Sequence, residues 1–164
     1  MQDISDSSID MIYLDPPFYT QKKQSLSDSK GNRYEFSDVW DSLDEYLNFM
    51  RQRIAEMKRL LKPTGSIFLH CGTSASHHLR LLLDNIFGCE SFRSEIIWSY
   101  KRWSNSRKGL LPGHQTIFYY TKTQNYNFNT IYSEYSATTN VDQILQERKR
   151  DCVCHGTEVG GAIC

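Results

Sequence analysis

Ile-Asp-Met-Ile-Tyr-Leu-Asp-Pro-Pro-Phe, residues 9–18, is the stretch on which the fold prediction depends. Its first part, Ile9–Leu14, is a short run rich in apolar, β-branched and aromatic side chains, and Asp15-Pro16-Pro17 halts it. A run of this length that ends at proline predicts a buried strand. The acidic residue and the two prolines then lie at the carboxyl end of that strand.

Helices and strands alternate downstream. Ser42 and Glu45 form a capping box that begins a predicted helix, and its apolar side chains recur at helical spacing until Lys62-Pro63-Thr64-Gly65 ends it. A second helix is predicted to be capped by Ser74 or Ser76 and to end at Gly88. The other predicted strands are Ser66–His70, Glu95–Tyr100 and Gln115–Thr121. Residues 21–38 are polar and contain Gly31-Asn32, which predicts a mobile loop.

This order of elements predicts an α/β fold with a mainly parallel sheet. The segment between the last two strands is too short for a crossover helix, so these strands are expected to be antiparallel neighbours at a sheet edge. Beyond Thr121 the pattern weakens into a sequence rich in Asn, Thr and Tyr.

Composition bounds the class of protein. The 164 residues amount to one domain, and 19 Lys+Arg balance 19 Asp+Glu, so the net charge neither requires nor excludes a nucleic-acid partner. Aromatic residues make up 13% of the chain, which suits base stacking or an ordinary core equally. Five irregularly spaced Cys, no apolar signal segment and no run of about 20 apolar residues favour a cytoplasmic protein without a membrane partner.

Asp15, Pro16 and Phe18 each suit the methylation of an aromatic amine. The Asp15 carboxylate and the Pro16 carbonyl could accept the two N–H bonds of the amine and stabilise the positive charge that develops on it. The prolines fix the direction of that carbonyl, and Phe18 offers a flat face to a base turned out of the duplex. A polyproline-like turn with Phe18 in the core is the alternative.

Asp15-Pro16-Pro17-Phe18 resembles the catalytic Asp-Pro-Pro-aromatic motif of the N6-adenine and N4-cytosine DNA methyltransferases. Residues 61–69, 92–98 and 114–122 are similar to further segments of that family. The resemblance implies a Rossmann-like S-adenosylmethionine-dependent methyltransferase fold, with Asp15, Pro16, Pro17 and Phe18 as the catalytic residues and Asp15 also touching the cofactor S-adenosyl-L-methionine. It further implies double-stranded DNA as partner and a possible cognate restriction endonuclease.

The family arrangement that begins with the catalytic half continues with a target-recognition region and a cofactor half. Residues 1–122 correspond to the catalytic half and residues 123–164 to the start of the recognition region. The Gly-rich Asp-Pro-Phe-x-Gly-x-Gly segment of the cofactor half is not found, and Gly156–Gly161 lacks its pattern. The fold is therefore expected to be incomplete. The expectation is a missing cofactor-binding half or second subunit, or a DNA-binding remnant without activity.

The choice of substrate stays open at this point. Within the resembled family, Asp rather than Ser at position 15 favours adenine N6, with cytosine N4 as the alternative. Asn at that position is more typical of relatives that methylate protein glutamine. A methyltransferase acting on RNA or on a protein amide is the third hypothesis.

Basic residues around an aromatic ring mark a candidate DNA-contacting loop between the third and fourth strands. Such a loop suits phosphate contact and base stacking, although a solvated basic loop has the same composition. In this loop the predicted nucleic-acid-binding residues are Lys101, Arg102, Trp103, Arg107 and Lys108. Lys22 and Lys23, which follow the Asp15–Phe18 motif, are predicted to add phosphate contacts. No metal is predicted, because Cys152, Cys154 and His155 lack a second ligand pair. His70 is interpreted as a buried histidine without a catalytic role.

Overall fold

The computed structural model describes residues 3–101 and 109–132, and its helices and strands belong to a compact unit that ends at Phe128. The elements, in chain order, are β1 (Ile9–Leu14), β2 (Lys22–Ser27), β3 (Arg33–Asp38), α1 (Leu43–Leu60), β4 (Leu61–Cys71), α2 (Ser76–Phe87), a 3-10 turn (Cys89–Ser91), β5 (Phe92–Ser99) and β6 (His114–Thr121). The four predicted strands and the two predicted helices are all present.

A four-stranded sheet with the order β1-β4-β6-β5 forms the centre of the fold. Strands β1 and β4 are parallel, whereas β6 is antiparallel to both of its neighbours. Three of the four strands therefore point the same way, and β5 and β6 form the antiparallel pair that was predicted. The α/β prediction is confirmed, with a mixed sheet in which β6 lies inside and β5 at the edge of the described strands.

Strand β4 begins earlier than the sequence predicted. Leu61 pairs with Ile9, and after a register shift Ser66 pairs with Met11, so the turn-like residues between them do not interrupt the strand. Gly65 lies where the chains approach closely, since a Cβ added there would stand 3.1 Å from the Asp10 carbonyl oxygen. The prediction that this segment separates helix from strand was wrong because a bulge absorbs the extra residues.

The helix ends follow the sequence in part. Ser42 Oγ accepts the Glu45 N–H at 3.1 Å, as the capping box predicted, but the Glu45 carboxylate accepts from Asp41 instead of Ser42. Gly88 ends α2 with φ +95°, as predicted. The predicted serine cap of α2 was wrong, because Ala75 occupies the N-cap and no side chain caps the helix.

Apolar faces of both helices cover the sheet and form the core. Helix α1 buries Tyr46, Met50 and Ile54, and α2 buries Leu79 and Leu83. They join one cluster with side chains of β4 and β6, including Ile67, Leu69, Phe118 and Tyr120. The helical spacing read from the sequence therefore selects the buried faces correctly.

Residues 22–38 form a β-hairpin, so the prediction of a mobile loop was wrong. Strands β2 and β3 pair in continuous antiparallel register from Lys22↔Asp38 to Ser27↔Arg33. The Asp28 carboxylate closes the turn by accepting the backbone N–H groups of Lys30 and Asn32 at 2.9 Å, and Gly31 takes φ +82°. Asp and Gly supply the turn here.

Among the described residues, no helix is long and apolar enough to cross a membrane.

Candidate active site at the carboxyl edge of the sheet

The carboxyl ends of β1, β4 and β5 meet at one edge of the sheet, because these strands point the same way. Asp15 follows β1, Gly72 follows β4 and Tyr100 follows β5, while Gln115 lies at the start of β6. Ligands of open α/β sheets bind at such an edge. The edge therefore holds the candidate site.

A pocket of about 420 Å³ opens beside the turn that follows β1. Its volume falls within the range of roughly 300–1,000 Å³ that is usual for small-molecule sites. Its lining residues come from the turn and from the β2–β3 hairpin, and they are Asp15, Pro16, Pro17, Phe18, Thr20, Gln24, Phe36 and Asp38. The structure thus brings together all four predicted catalytic residues and adds a wall that the sequence analysis missed.

Asp15 presents its carboxylate at this pocket, with 61% of the side chain exposed. Its Oδ1 lies 3.2 Å from Nδ1 of His70, and within the described part of the chain its second oxygen has no hydrogen-bond partner. The Asp15 charge, after burial, also helps to raise the pKa of the Tyr13 hydroxyl. One oxygen is therefore oriented, and the other is free to accept a hydrogen bond.

His70 is held on three sides. Its Nε2 lies 2.9 Å from Gln115 Oε1, its ring stacks on Trp98 with 5.5 Å between centroids, and Phe18 meets it edge-on at 5.1 Å. The sequence analysis was right that this histidine is buried and hydrogen-bonded, but it missed the contact with Asp15. The partnership arises from sheet order, which the local sequence does not show.

The two prolines differ in the use of their carbonyl groups. The Pro17 carbonyl accepts the Tyr46 hydroxyl at 2.8 Å, and burial raises the pKa of that hydroxyl, so it stays a donor. The Pro16 carbonyl accepts no hydrogen bond from the described residues, and Pro16 lines the pocket. The prediction that Pro16 supplies the second acceptor is thus compatible with a free carbonyl beside Asp15.

Phe18 is half-buried and uses part of its ring for packing. A Cβ added to Gly72 would stand 3.2 Å from Phe18 Cδ2, so the absence of a side chain at Gly72 leaves room for the ring. The pocket contains a second aromatic residue, Phe36, which is 55% exposed. Phe18 therefore packs inward in part and also lines the pocket, and its stacking on a base stays a prediction.

Asp38 fixes the backbone directly after the Asp15–Phe18 turn. Although only 2% exposed, its carboxylate accepts the N–H groups of Tyr19 and Thr20, the Thr20 hydroxyl and the Trp40 indole N–H, at 2.7–3.2 Å. Burial favours a higher pKa for Asp38, but these hydrogen bonds outweigh it and the net pKa is lowered. Tyr19 and Gln21 take φ +58° and +56°. Such left-handed backbone costs energy in non-glycine residues.

The predicted DNA-contacting residues are only partly described. Lys22 and Lys23 are exposed at the start of β2, and Lys101 is exposed just after β5. Tyr100, which precedes Lys101, lines a second depression of about 240 Å³ at the same edge together with Phe18. Arg102, Trp103, Arg107 and Lys108 lie outside the described residues, as do Cys152, Cys154 and His155. In the ranges 3–101 and 109–132, no group of His, Cys, Asp and Glu could hold a metal ion.

The structure is an α/β fold with a mixed sheet and an Asp-Pro-Pro-Phe turn at its carboxyl edge, and sequence comparison assigns the family. The family model described as DNA methylase (N6_N4_Mtase) matches residues 9–153. The chain belongs to this family.

Individual relatives agree with that assignment. The chain is 28% identical over 120 residues to the type II methyltransferase M.KpnI of Klebsiella pneumoniae, covering 73% of this chain and 28% of the relative. It is 34% identical over 120 residues to M.EcaI of Enterobacter cloacae, covering 73% and 26%. The chain thus spans about a quarter of the length of these curated relatives.

A solved structure supports the fold. The PvuII DNA methyltransferase (cytosine-N4-specific) superposes with a TM-score of 0.51 at 14% identity, over 84% of this chain and 56% of that one. At this identity the likeness concerns the fold alone. The methyltransferase fold expected from the sequence is confirmed.

Proposed function

We propose that this chain is the catalytic part of a DNA methyltransferase that transfers a methyl group from S-adenosylmethionine to the exocyclic amine of a base, with adenine N6 favoured. The observation that carries the proposal is that Asp15 and Pro16 line one pocket and that, among the described residues, the second carboxylate oxygen of Asp15 and the carbonyl of Pro16 accept no hydrogen bond. Adenine is favoured over cytosine because Asp, and not Ser, occupies position 15.

The lone pair of an aromatic amine is delocalised into the ring, which makes the nitrogen a poor nucleophile. Hydrogen bonds from its two N–H groups to Asp15 and Pro16 draw the nitrogen toward tetrahedral geometry and direct its lone pair away from them. The positive charge that develops on the nitrogen is stabilised by the Asp15 carboxylate, which is held in place by His70 before the reaction begins. After the methyl group has been accepted, the surplus proton passes from the nitrogen to solvent water at the exposed pocket, which leaves the amine neutral.

The Asp15 carboxylate also fits the cationic donor. S-adenosylmethionine, when bound, supplies the electrophilic methyl group. An exposed anionic oxygen at the carboxyl edge of the sheet suits its positively charged end, whereas the described residues contain no Gly-rich turn for its nucleoside.

The proposal is tested by incubating the full-length gene product with S-adenosylmethionine and duplex DNA and analysing the nucleosides by mass spectrometry. N6-methyladenine is expected. N4-methylcytosine would keep the reaction and overturn the choice of base, and the absence of any methylated base would overturn the proposal.

Asp15→Ala should lower the rate of transfer on the order of 10²–10³-fold, in line with the loss of one preorganised hydrogen-bond partner. Asp10→Asn is the matched control, because Asp10 is an exposed carboxylate on the same strand and pairs with Lys62 at 2.8 Å, not with a pocket residue. DNA affinity should be retained in both variants. A rate for Asp15→Ala near that of wild type would exclude Asp15 as an acceptor.

A further inference from the structure

The β2–β3 hairpin has one apolar face, and that face leads into the pocket. Cross-strand pairs set Gln24 opposite Phe36 and Leu26 opposite Tyr34, and alternation along each strand puts these four side chains on the same side. Leu26, Tyr34 and Phe36 are all more than half exposed. Among these three, Phe36 alone lines the pocket that also contains Asp15.

Strand β3 fixes the position of Phe36 relative to the Asp15–Phe18 turn. Asp38 lies two residues further along β3 and therefore on the same face of the strand. The four hydrogen bonds that Asp38 accepts tie the base of the hairpin to Tyr19, Thr20 and Trp40. Phe36 is consequently attached to the backbone that continues from Phe18, and the hairpin wall keeps its place beside Asp15.

A planar base has two faces, and one aromatic ring covers only one of them. Part of the Phe18 ring packs against His70 and Gly72, whereas Phe36 remains 55% exposed. Stacking of an aromatic ring on a base contributes roughly 1–3 kcal/mol and requires no particular base identity. A second ring across the pocket would cover the remaining face.

We propose that Phe36 is a substrate-binding residue that stacks on the target base after it has left the duplex, forming the wall opposite the Asp15–Phe18 turn. The inference rests on the proposed function and specifies which residue holds the base. The hairpin thereby contributes to the site through Phe36, whereas Leu26 and Tyr34 lie on the same face outside the pocket.

The test begins by mapping the methylated position in DNA treated with the wild-type full-length gene product. That base is then replaced by the fluorescent analogue 2-aminopurine, whose emission rises when it unstacks from its neighbours. Phe36→Ala should weaken binding of a duplex with a mismatched target base about 10-fold and raise the KM for DNA by a similar factor. The 2-aminopurine emission of the Phe36→Ala complex should be higher than that of the wild-type complex, because the analogue loses its stacking partner.

Three further variants separate stacking from other effects. Phe36→Tyr keeps the ring and should restore near wild-type values, whereas Phe36→Leu keeps apolar bulk without a ring and should stay impaired. Leu26→Ala removes an exposed side chain from the same hairpin face outside the pocket and should change neither readout.

Wild-type kinetics and emission for Phe36→Ala would overturn the inference, and so would an equal loss in Leu26→Ala. Neither result would affect the proposed function, which fails only if the wild-type protein methylates no DNA.

Discussion

The Asp15–Phe18 turn and the β2–β3 hairpin that follows it are adjacent in sequence, but the fold holds them in different ways. The turn is embedded in the fold, since Pro16 is buried, the Pro17 carbonyl is bound by Tyr46 of α1, and Phe18 packs on His70. The hairpin stands away from the core and exposes both of its faces except at its base. The proposed acceptors therefore lie on a rigid part of the fold, and the second region contributes a pocket wall that stands out from the core.

Asp38 links the two regions, and its replacement should give the largest effect on stability. Asp38→Ala leaves two backbone N–H groups, a hydroxyl and an indole N–H without their acceptor, which should destabilise the fold on the order of 3 kcal/mol. Urea unfolding of the full-length protein measures the loss, and hydrogen exchange should show reduced protection of the β2–β3 amides. Asp38→Asn keeps one acceptor oxygen and should give an intermediate loss. Equal stability of all three proteins would show that the hairpin is anchored elsewhere.

His70 probes the orientation of the turn, and its effect should be smaller. His70→Phe keeps an aromatic ring between Trp98 and Phe18 but removes the ring nitrogen that lies 3.2 Å from Asp15 Oδ1. The rate of methyl transfer should fall about tenfold, the equivalent of about 1.4 kcal/mol, while KM for DNA stays constant. A fall in DNA affinity with an unchanged rate would place His70 in binding instead of orientation.

Acid should loosen the link between the two regions. The pKa of Asp38 is lowered from its ordinary value of 3.8, so its stabilising contribution is complete above that value and is lost as the pH falls below it toward the folded-state pKa. Protection of the hairpin amides should therefore decline below about pH 4 in wild type and be independent of pH there in Asp38→Asn. The same decline in the variant would assign it to another group.

Replacing Tyr46, which holds the Asp15–Phe18 turn from α1, should give the smallest effect on stability. Tyr46→Phe removes the hydroxyl that donates to the Pro17 carbonyl and keeps the ring contacts with Tyr19 and Trp40. The free energy of unfolding should fall by about 1 kcal/mol. A loss several times larger would mean that the hydroxyl supports more than this one carbonyl.

Most of the regular fold could be predicted because its signals are local. The apolar run of β1 stops at proline, the spacing of apolar residues in α1 marks its buried face, and Gly88 ends α2 where a positive φ is required. The hairpin could not be predicted in the same way, since its strands bury little and lack an apolar face against the core. Apolar and polar side chains alternate along part of these strands, but most of the residues are polar, and the polar composition led to the prediction of a loop.

The same division applies to the site. Asp15, Pro16, Pro17 and Phe18 are contiguous, so their chemistry can be inferred from residue type and from the strand before them. His70, Gln115 and Asp38 lie between 23 and 100 residues from Asp15 along the chain. Their roles depend on which strands are neighbours, and a periodic pattern in one segment carries no information about its neighbour.

The sequence by itself determined the class of fold, the position of the catalytic turn and its chemical character, because these follow from propensity, spacing and functional groups within about ten residues. Tertiary structure alone decided that the hairpin forms a wall of the pocket and that a histidine contacts the acidic side chain. It also decided that the Pro17 carbonyl accepts a hydrogen bond, whereas the Pro16 carbonyl accepts none from the described residues. These features arise from hydrogen bonds and ring contacts between distant segments, which exist only once the strands have taken their order in the sheet.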